Sequence, residues 1–100
     1  MLRIHINHGN EATLYIIEGK LIGPWVTELE KCWHTAVSRE PYRSIVIDIT
    51  AVTFIDDQGK QLVTRMRQNG AALTGTGLMA EFLIREIENA TSSPETGSVT

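Results

Sequence analysis

Residues 44–67 read SIVIDITAVTFIDDQGKQLVTRMR, and two periodicities meet inside them. Residues 44–48 and 52–55 are apolar and β-branched, the pattern of extended chain, whereas from Gln58 onward Leu62, Val63 and Met66 recur at helical spacing. A buried strand therefore runs into a helix, with Asp56, Asp57, Gln58 and Gly59 at the joint. In open α/β sheets, ligands and partners bind just beyond the carboxyl ends of the strands, so function is sought first at this joint.

Working outward, residues 2–7 (LRIHIN) alternate, with Leu2, Ile4 and Ile6 on one face and Arg3, His5 and Asn7 on the other, as in a half-exposed strand. Turn residues Asn7, His8, Gly9 and Asn10 lead into a second strand at 12–18, and the economical reading is a hairpin. Gly23 as N-cap and Pro24 at the first helical position open an amphipathic helix. Its stripe is Val26, Leu29, Trp33, Ala36 and Val37, and it ends near Ser38, ahead of Glu40-Pro41. Ile45, Val46 and Ile47 suit a strand covered on both faces. Residues 50–55 then link that strand to the next helix, with Phe54 and Ile55 filling the core beneath the turn. Asn69-Gly70 stops the second helix, and residues 71–75 form a short last strand. Leu78, Met79, Phe82, Leu83 and Ile87 mark a third helix over 78–88. Residues 90–100 (ATSSPETGSVT) read as a disordered polar tail behind a domain of residues 1–89. The sum is β-β-α-β-α-β-α, a single-domain α/β fold of about four strands. The sheet is mostly parallel with one antiparallel edge strand, and the helices pack mainly on one side.

A chain of 100 residues has room for one core and not for two. Its formal net charge of -3 gives no drive toward non-specific nucleic-acid binding. It has no apolar run long enough to span a bilayer and no signal-like apolar core near Met1, so a soluble, cytoplasmic protein without membrane insertion is expected. Cys32 is the only cysteine, which excludes an internal disulfide and a cysteine-based zinc site. His34, two positions on, points to another helix face, and Cys32 reads as a small buried residue. His5 and His8 lack a nearby third ligand and read as solvated surface. Trp25 and Trp33 are core or core-edge residues by spacing, with Trp25 alternatively a partner contact at the helix start.

Three carboxylates, Asp48, Asp56 and Asp57, bracket the joint. Gathered at one sheet edge they would hold Mg²⁺ or serve a small-ligand or nucleotide sensor; the competing reading is helix capping by Asp56 or Asp57. A receiver-type acid pocket would need an early acidic pair and a late lysine, and no lysine follows Lys60. Gly75-Thr76-Gly77 lacks the third glycine and the Lys-Ser/Thr of phosphate-binding loops, so it reads as a tight strand-to-helix turn. With no G-x-S-x-G either, no catalytic residue, metal or cofactor is expected.

The order of elements and several of these words resemble a STAS domain, the fold shared by bacterial anti-sigma-factor antagonists and the cytoplasmic tails of sulfate transporters. The resemblance rests on LYIIEG at 14–19 with Leu21, and on IVIDIT at 45–50 for the family's V-x-L-D-L-S strand. VTFIDDQG at 52–59 stands for its V-x-F-I-D-S-S-G turn, Gly70 to Leu73 for its G-x-x-L strand, and the match runs over about 2–88. The resemblance implies a protein-binding switch acting in transcription regulation. In that family a serine or threonine just before the turn glycine is phosphorylated by a kinase that is also the anti-sigma factor. Phosphate adds roughly -1.5 to -2 charge at the start of the second helix, in the middle of a contact surface. Here Asp56 matches the family's aspartate, but Asp57 and Gln58 hold the two hydroxyl positions and Lys60 replaces an apolar residue. Gln58 has no hydroxyl to modify. The expected product is a non-catalytic interaction module that binds an anti-sigma factor or serine kinase constitutively, or one in which Asp57 mimics the modified state. Thr50, Thr53 and Thr64 are nearby hydroxyls. By resemblance the contact surface comprises Asp56, Asp57, Gln58, Gly59 and Lys60 with Gly23, Pro24 and Trp25. Lys60, Thr64 and Arg67 are expected to share an exposed helix face.

Overall fold

The computed structural model describes the backbone of residues 1–98 and the side chains of residues 1–90. The elements are β1 (Leu2–His8), β2 (Ala12–Leu21), α1 (Pro24–Arg39), β3 (Ser44–Ile55), α2 (Asp57–Gln68), β4 (Ala72–Thr74) and α3 (Leu78–Ser98). They form one sheet in the order β1-β2-β3-β4, with β1 antiparallel to β2 and the other pairs parallel. The expected α/β order and the antiparallel edge are both present.

Alternation along the strands shows where the core lies. Thr13, Tyr15 and Ile17 of β2 and Ile45, Ile47 and Ile49 of β3 are buried, and Tyr15 lies in register with Ile47. Against them pack Leu29 and Trp33 of α1, Leu62, Val63 and Met66 of α2, and Leu83 and Ile87 of α3. Residues between them, Leu14, Ile16 and Val46, are only half-buried. The sheet is therefore covered on one face, which corrects the reading of residues 45–47 as a strand covered on both.

β3 also runs further than expected. It is one strand of 12 residues to Ile55, with no separate link at 50–55. Two register shifts make this possible, between Ile16 and Glu18 and between Gly19 and Lys20. Across the second shift, one step along β2 matches two along β3, from Val52 to Phe54. Such a bulge re-aims side chains. Ile55 comes level with buried Leu21 and stays on the core side, while Phe54 comes level with exposed Lys20 and is itself 54% exposed. The placement of Phe54 in the core is thus overturned.

Within α1, Val26, Leu29 and Trp33 are buried as the stripe requires, but Val37 is exposed. α3 continues to Ser98, past Glu88. The apolar pattern ends at Ile87, yet a helix once nucleated extends by one backbone bond per residue without it. The rest of the expected polar tail, Val99 and Thr100, lies outside the described residues.

One-sided packing makes neighbouring positions on β3 unequal. Ile47→Ala is expected to cost about 2 to 5 kcal/mol in urea unfolding, and Val46→Ala less than half as much. Equal losses would mean that both faces are covered.

Candidate functional site

The ends of β2 and β3 lie side by side, with Leu21 level with Ile55, so the turns that follow them are neighbours. Asp56 joins the two. It is the extended N-cap of α2, and its Oδ1 accepts the Gly59 N–H at 2.8 Å. Its Oδ2 accepts the Gly23 N–H of the other turn at 3.0 Å. The Asp56 N–H donates to the Leu21 carbonyl at 3.3 Å, and the Asp56 carbonyl accepts the first helical bond, from Lys60 N–H, at 2.9 Å. These donors favour the charged carboxylate, so the Asp56 pKa lies below the usual value. The Gly59 N–H contributes most and the Gly23 N–H next, with partial burial opposing them.

Both glycines are dictated by this junction. A Cβ at Gly59 would stand 2.6 Å from the Leu21 carbonyl oxygen and 2.8 Å from Ile55 Cγ1, so only glycine lets α2 start so close to β2. Gly23 sits at φ 54°, where L side chains are strained, and its carbonyl accepts the Val26 N–H at 3.0 Å as α1 begins.

The junction presents its outer residues to solvent. Asp57 and Gln58 are exposed at the first two positions of α2, while Pro24 is exposed and Trp25 half-buried at the first two of α1. Lys60 behaves differently from the expectation. Its Nζ pairs with Glu86 of α3 at 3.2 Å, Arg67 pairs with Glu88 at 2.9 Å, and the Thr64 hydroxyl donates to the Lys60 carbonyl at 2.7 Å. The Lys60, Thr64 and Arg67 face is therefore half-buried toward α3, because i, i+4 and i+7 share the side that packs there.

Asp48 does not join the other acids. Its Oδ1 accepts the Thr50 N–H at 2.9 Å, and it lies eight residues before Asp56 on one strand, on the order of 25 Å in extended chain. Among the described residues no group of three or more His, Cys, Asp or Glu is arranged to hold a metal. Gly75 is tightly packed, since a Cβ would stand 2.9 Å from that of Ala80. The Thr76 N–H donates to Thr50 Oγ1 at 3.0 Å, tying the β4–α3 turn to β3. Of the other hydroxyls, Thr53 is exposed.

Some exposed apolar side chains escaped the sequence reading. Leu78 and Phe82, at the start of α3, are 89% and 57% exposed, and Phe54, next to last in β3, is 54% exposed. The i, i+4 spacing of Leu78 and Phe82, opposite Ala80, Leu83 and Ile87, was the available signal.

No family profile and no curated protein matches this sequence. Solved structures do. An anti-sigma factor antagonist from Mycobacterium paratuberculosis superposes with a TM-score of 0.71 at 17% identity, over 96% of this chain and 82% of that one. The anti-sigma factor antagonist SpoIIAA in its unphosphorylated form gives 0.57 at 18% identity, over 84% and 97%. An uncharacterized protein from Shewanella loihica with a SpoIIAA-like fold gives 0.61 at 16% identity, over 92% and 80%. The chain is thus an α/β domain with a mixed four-stranded sheet, and its fold is STAS-like, the fold of the anti-sigma-factor antagonists.

A depressed carboxylate pKa stabilises the fold above the unfolded value, about 3.9, and that contribution is lost as pH falls through the lower folded value. Asp56→Asn, which loses the charge and one acceptor oxygen, is expected to melt several degrees below wild type at neutral pH. The gap should narrow below about pH 4 in parallel thermal melts. A gap independent of pH would show that the charge plays no part.

Proposed function

We propose that this chain is a non-catalytic docking module that binds a protein of the anti-sigma-factor or serine-kinase kind in the bacterial cytoplasm. The contact surface is the pair of turns bearing Asp57 and Gln58 on one side and Pro24 and Trp25 on the other. The observation that supports this most directly is the double acceptance by Asp56, which holds both turns in one arrangement before any partner arrives. A preorganised surface loses less entropy on binding. Exposed Phe54, one position before the Leu21–Ile55 pair that leads into the turns, adds apolar area of the kind that interfaces bury. The named structural neighbours, anti-sigma factor antagonists, point the same way.

Gln58 stands exposed at the second position of α2, where an added phosphate would meet the helix's positive end. A carboxamide cannot accept a phosphoryl group, so docking at this surface runs without that switch. Lys60, held by Glu86, supports the turn and contributes little to the partner contact.

Against a purified anti-sigma factor that binds the wild-type chain, Trp25→Ala and Asp57→Lys are each expected to weaken binding about tenfold or more, roughly 1.4 kcal/mol. Unchanged affinity in both variants refutes the assigned surface. Incubated with ATP and a serine kinase of this type, Gln58→Ser should gain one phosphoryl group by intact mass while the wild-type chain gains none at position 58.

A further inference from the structure

At the opposite end of the sheet a cleft of roughly 950 Å³ opens between α1 and the β1–β2 hairpin. Of the inward residues of β1, Leu2 and Ile4 pack against the core, whereas Ile6, nearest the hairpin turn, is left open beside α1. Ile6 lies level with Tyr15, yet Ile6 is 40% exposed and Tyr15 only 1%. Ile45 lies beside them in the lining.

Charge collects in this cleft against the trend of the molecule. Lys31 and Arg39, eight residues apart on one face of α1, line it together with Arg43, and Glu40 is the only carboxylate in the lining. Three cations against one carboxylate leave a surplus of two positive charges in a chain whose net charge is -3. Arg43 is a structural member. Its guanidinium donates to Thr13 Oγ1 at 2.7 Å and to the Ala12, Asn10 and Gly9 carbonyls, pinning the hairpin, and Glu40 lies 3.8 Å away. Among the described residues, Lys31 and Arg39 make no ion pair and no hydrogen bond with their side chains, and both are exposed.

The second observation is independent of charge. Tyr15 is almost wholly buried, it lines the cleft, and its hydroxyl makes no hydrogen bond to any described residue. No fully buried side-chain nitrogen or oxygen among the described residues lacks a partner, so the Tyr15 hydroxyl is one that reaches solvent in the cleft, where it is placed to donate to a bound acceptor. Burial first, and the Cys32 thiol second, push its pKa up, which keeps it a donor.

We propose that this cleft binds a small amphipathic anion, a carboxylate or phosphate monoester carrying an apolar chain. The charged head is paired by Lys31 and Arg39 and accepts the Tyr15 hydroxyl, and the chain lies over Ile6 and Ile45. Apolar walls with a few converging polar groups are the usual make-up of a small-molecule site. This site stands apart from the docking surface and does not depend on it.

Cys32, the only cysteine, lines the same cleft and is half-buried, which makes it a built-in reporter. The full chain is treated with neutral N-ethylmaleimide in the presence of decanoate or decyl phosphate below micelle-forming concentrations, with decanol and acetate as controls. Calorimetric titration with the same probes is run in parallel. Saturable binding of decanoate, decyl phosphate or both is expected, with maleimide reaction slowed about elevenfold at ten times Kd, and little effect from decanol or acetate. Charge reversal of the exposed pair, Lys31→Glu with Arg39→Glu, should weaken binding by about tenfold or more, and Tyr15→Phe should weaken it while leaving the melting temperature intact or higher. No saturable binding by calorimetry, equal binding of decanol, or affinity untouched by the charge reversal overturns the proposal.

Discussion

A single carboxylate accepting two backbone N–H groups from different turns organises the working end of this molecule. Asp56 is bonded to Gly59 in its own helix and to Gly23 across the sheet, so the starts of α1 and α2 are fixed relative to each other as well as to their strands. The tight seat of Gly59 against Leu21 and the positive φ of Gly23 are two sides of the same requirement, that the turns approach closely. Replacing either glycine would separate what the carboxylate joins.

The rest of the architecture divides labour between core and surface. An apolar layer from one face of the sheet and three helices carries the stability. Ion pairs from α2 to both neighbours, Arg65 with Glu30 and Lys60 with Glu86, align the helices but are half-exposed, where each such pair contributes about 0.2 to 1 kcal/mol. Covering one face only leaves two consequences at opposite ends of the sheet. Toward the carboxyl ends of the parallel strands the turns and exposed Phe54 face outward. Toward their amino ends the uncovered hairpin end of β1 opens a cleft lined by basic side chains.

Much of this was legible in the residues. Periodicity located every strand and helix, the Gly23-Pro24 and Asn69-Gly70 pairs marked helix boundaries within about a residue, and capping by Asp56 or Asp57 followed from their place before a helical pattern, the structure choosing Asp56. The errors share a cause. Phe54 was misplaced because a register shift, which depends on the partner strand, reverses the face on which a residue lies. Val46 was misread because a β-branched apolar residue satisfies strand propensity whether or not a helix covers it. Charge on the Lys60, Thr64 and Arg67 face suggests solvent when read from sequence, whereas α3 supplies the opposite charges for Lys60 and Arg67.

What the sequence determined alone is therefore local: the order of elements, a capping carboxylate at position 56 or 57, and the amide that stands at position 58 in place of a hydroxyl. These follow from each residue's own backbone preferences and functional groups. Only the tertiary structure decided that Asp56 reaches Gly23, that Asp48 stands far from it, and that Tyr15, Lys31 and Arg39 line one cavity. Those relations join residues distant along the chain, and they are set by strand pairing and by which sheet face the helices cover, neither of which any short stretch of residues specifies.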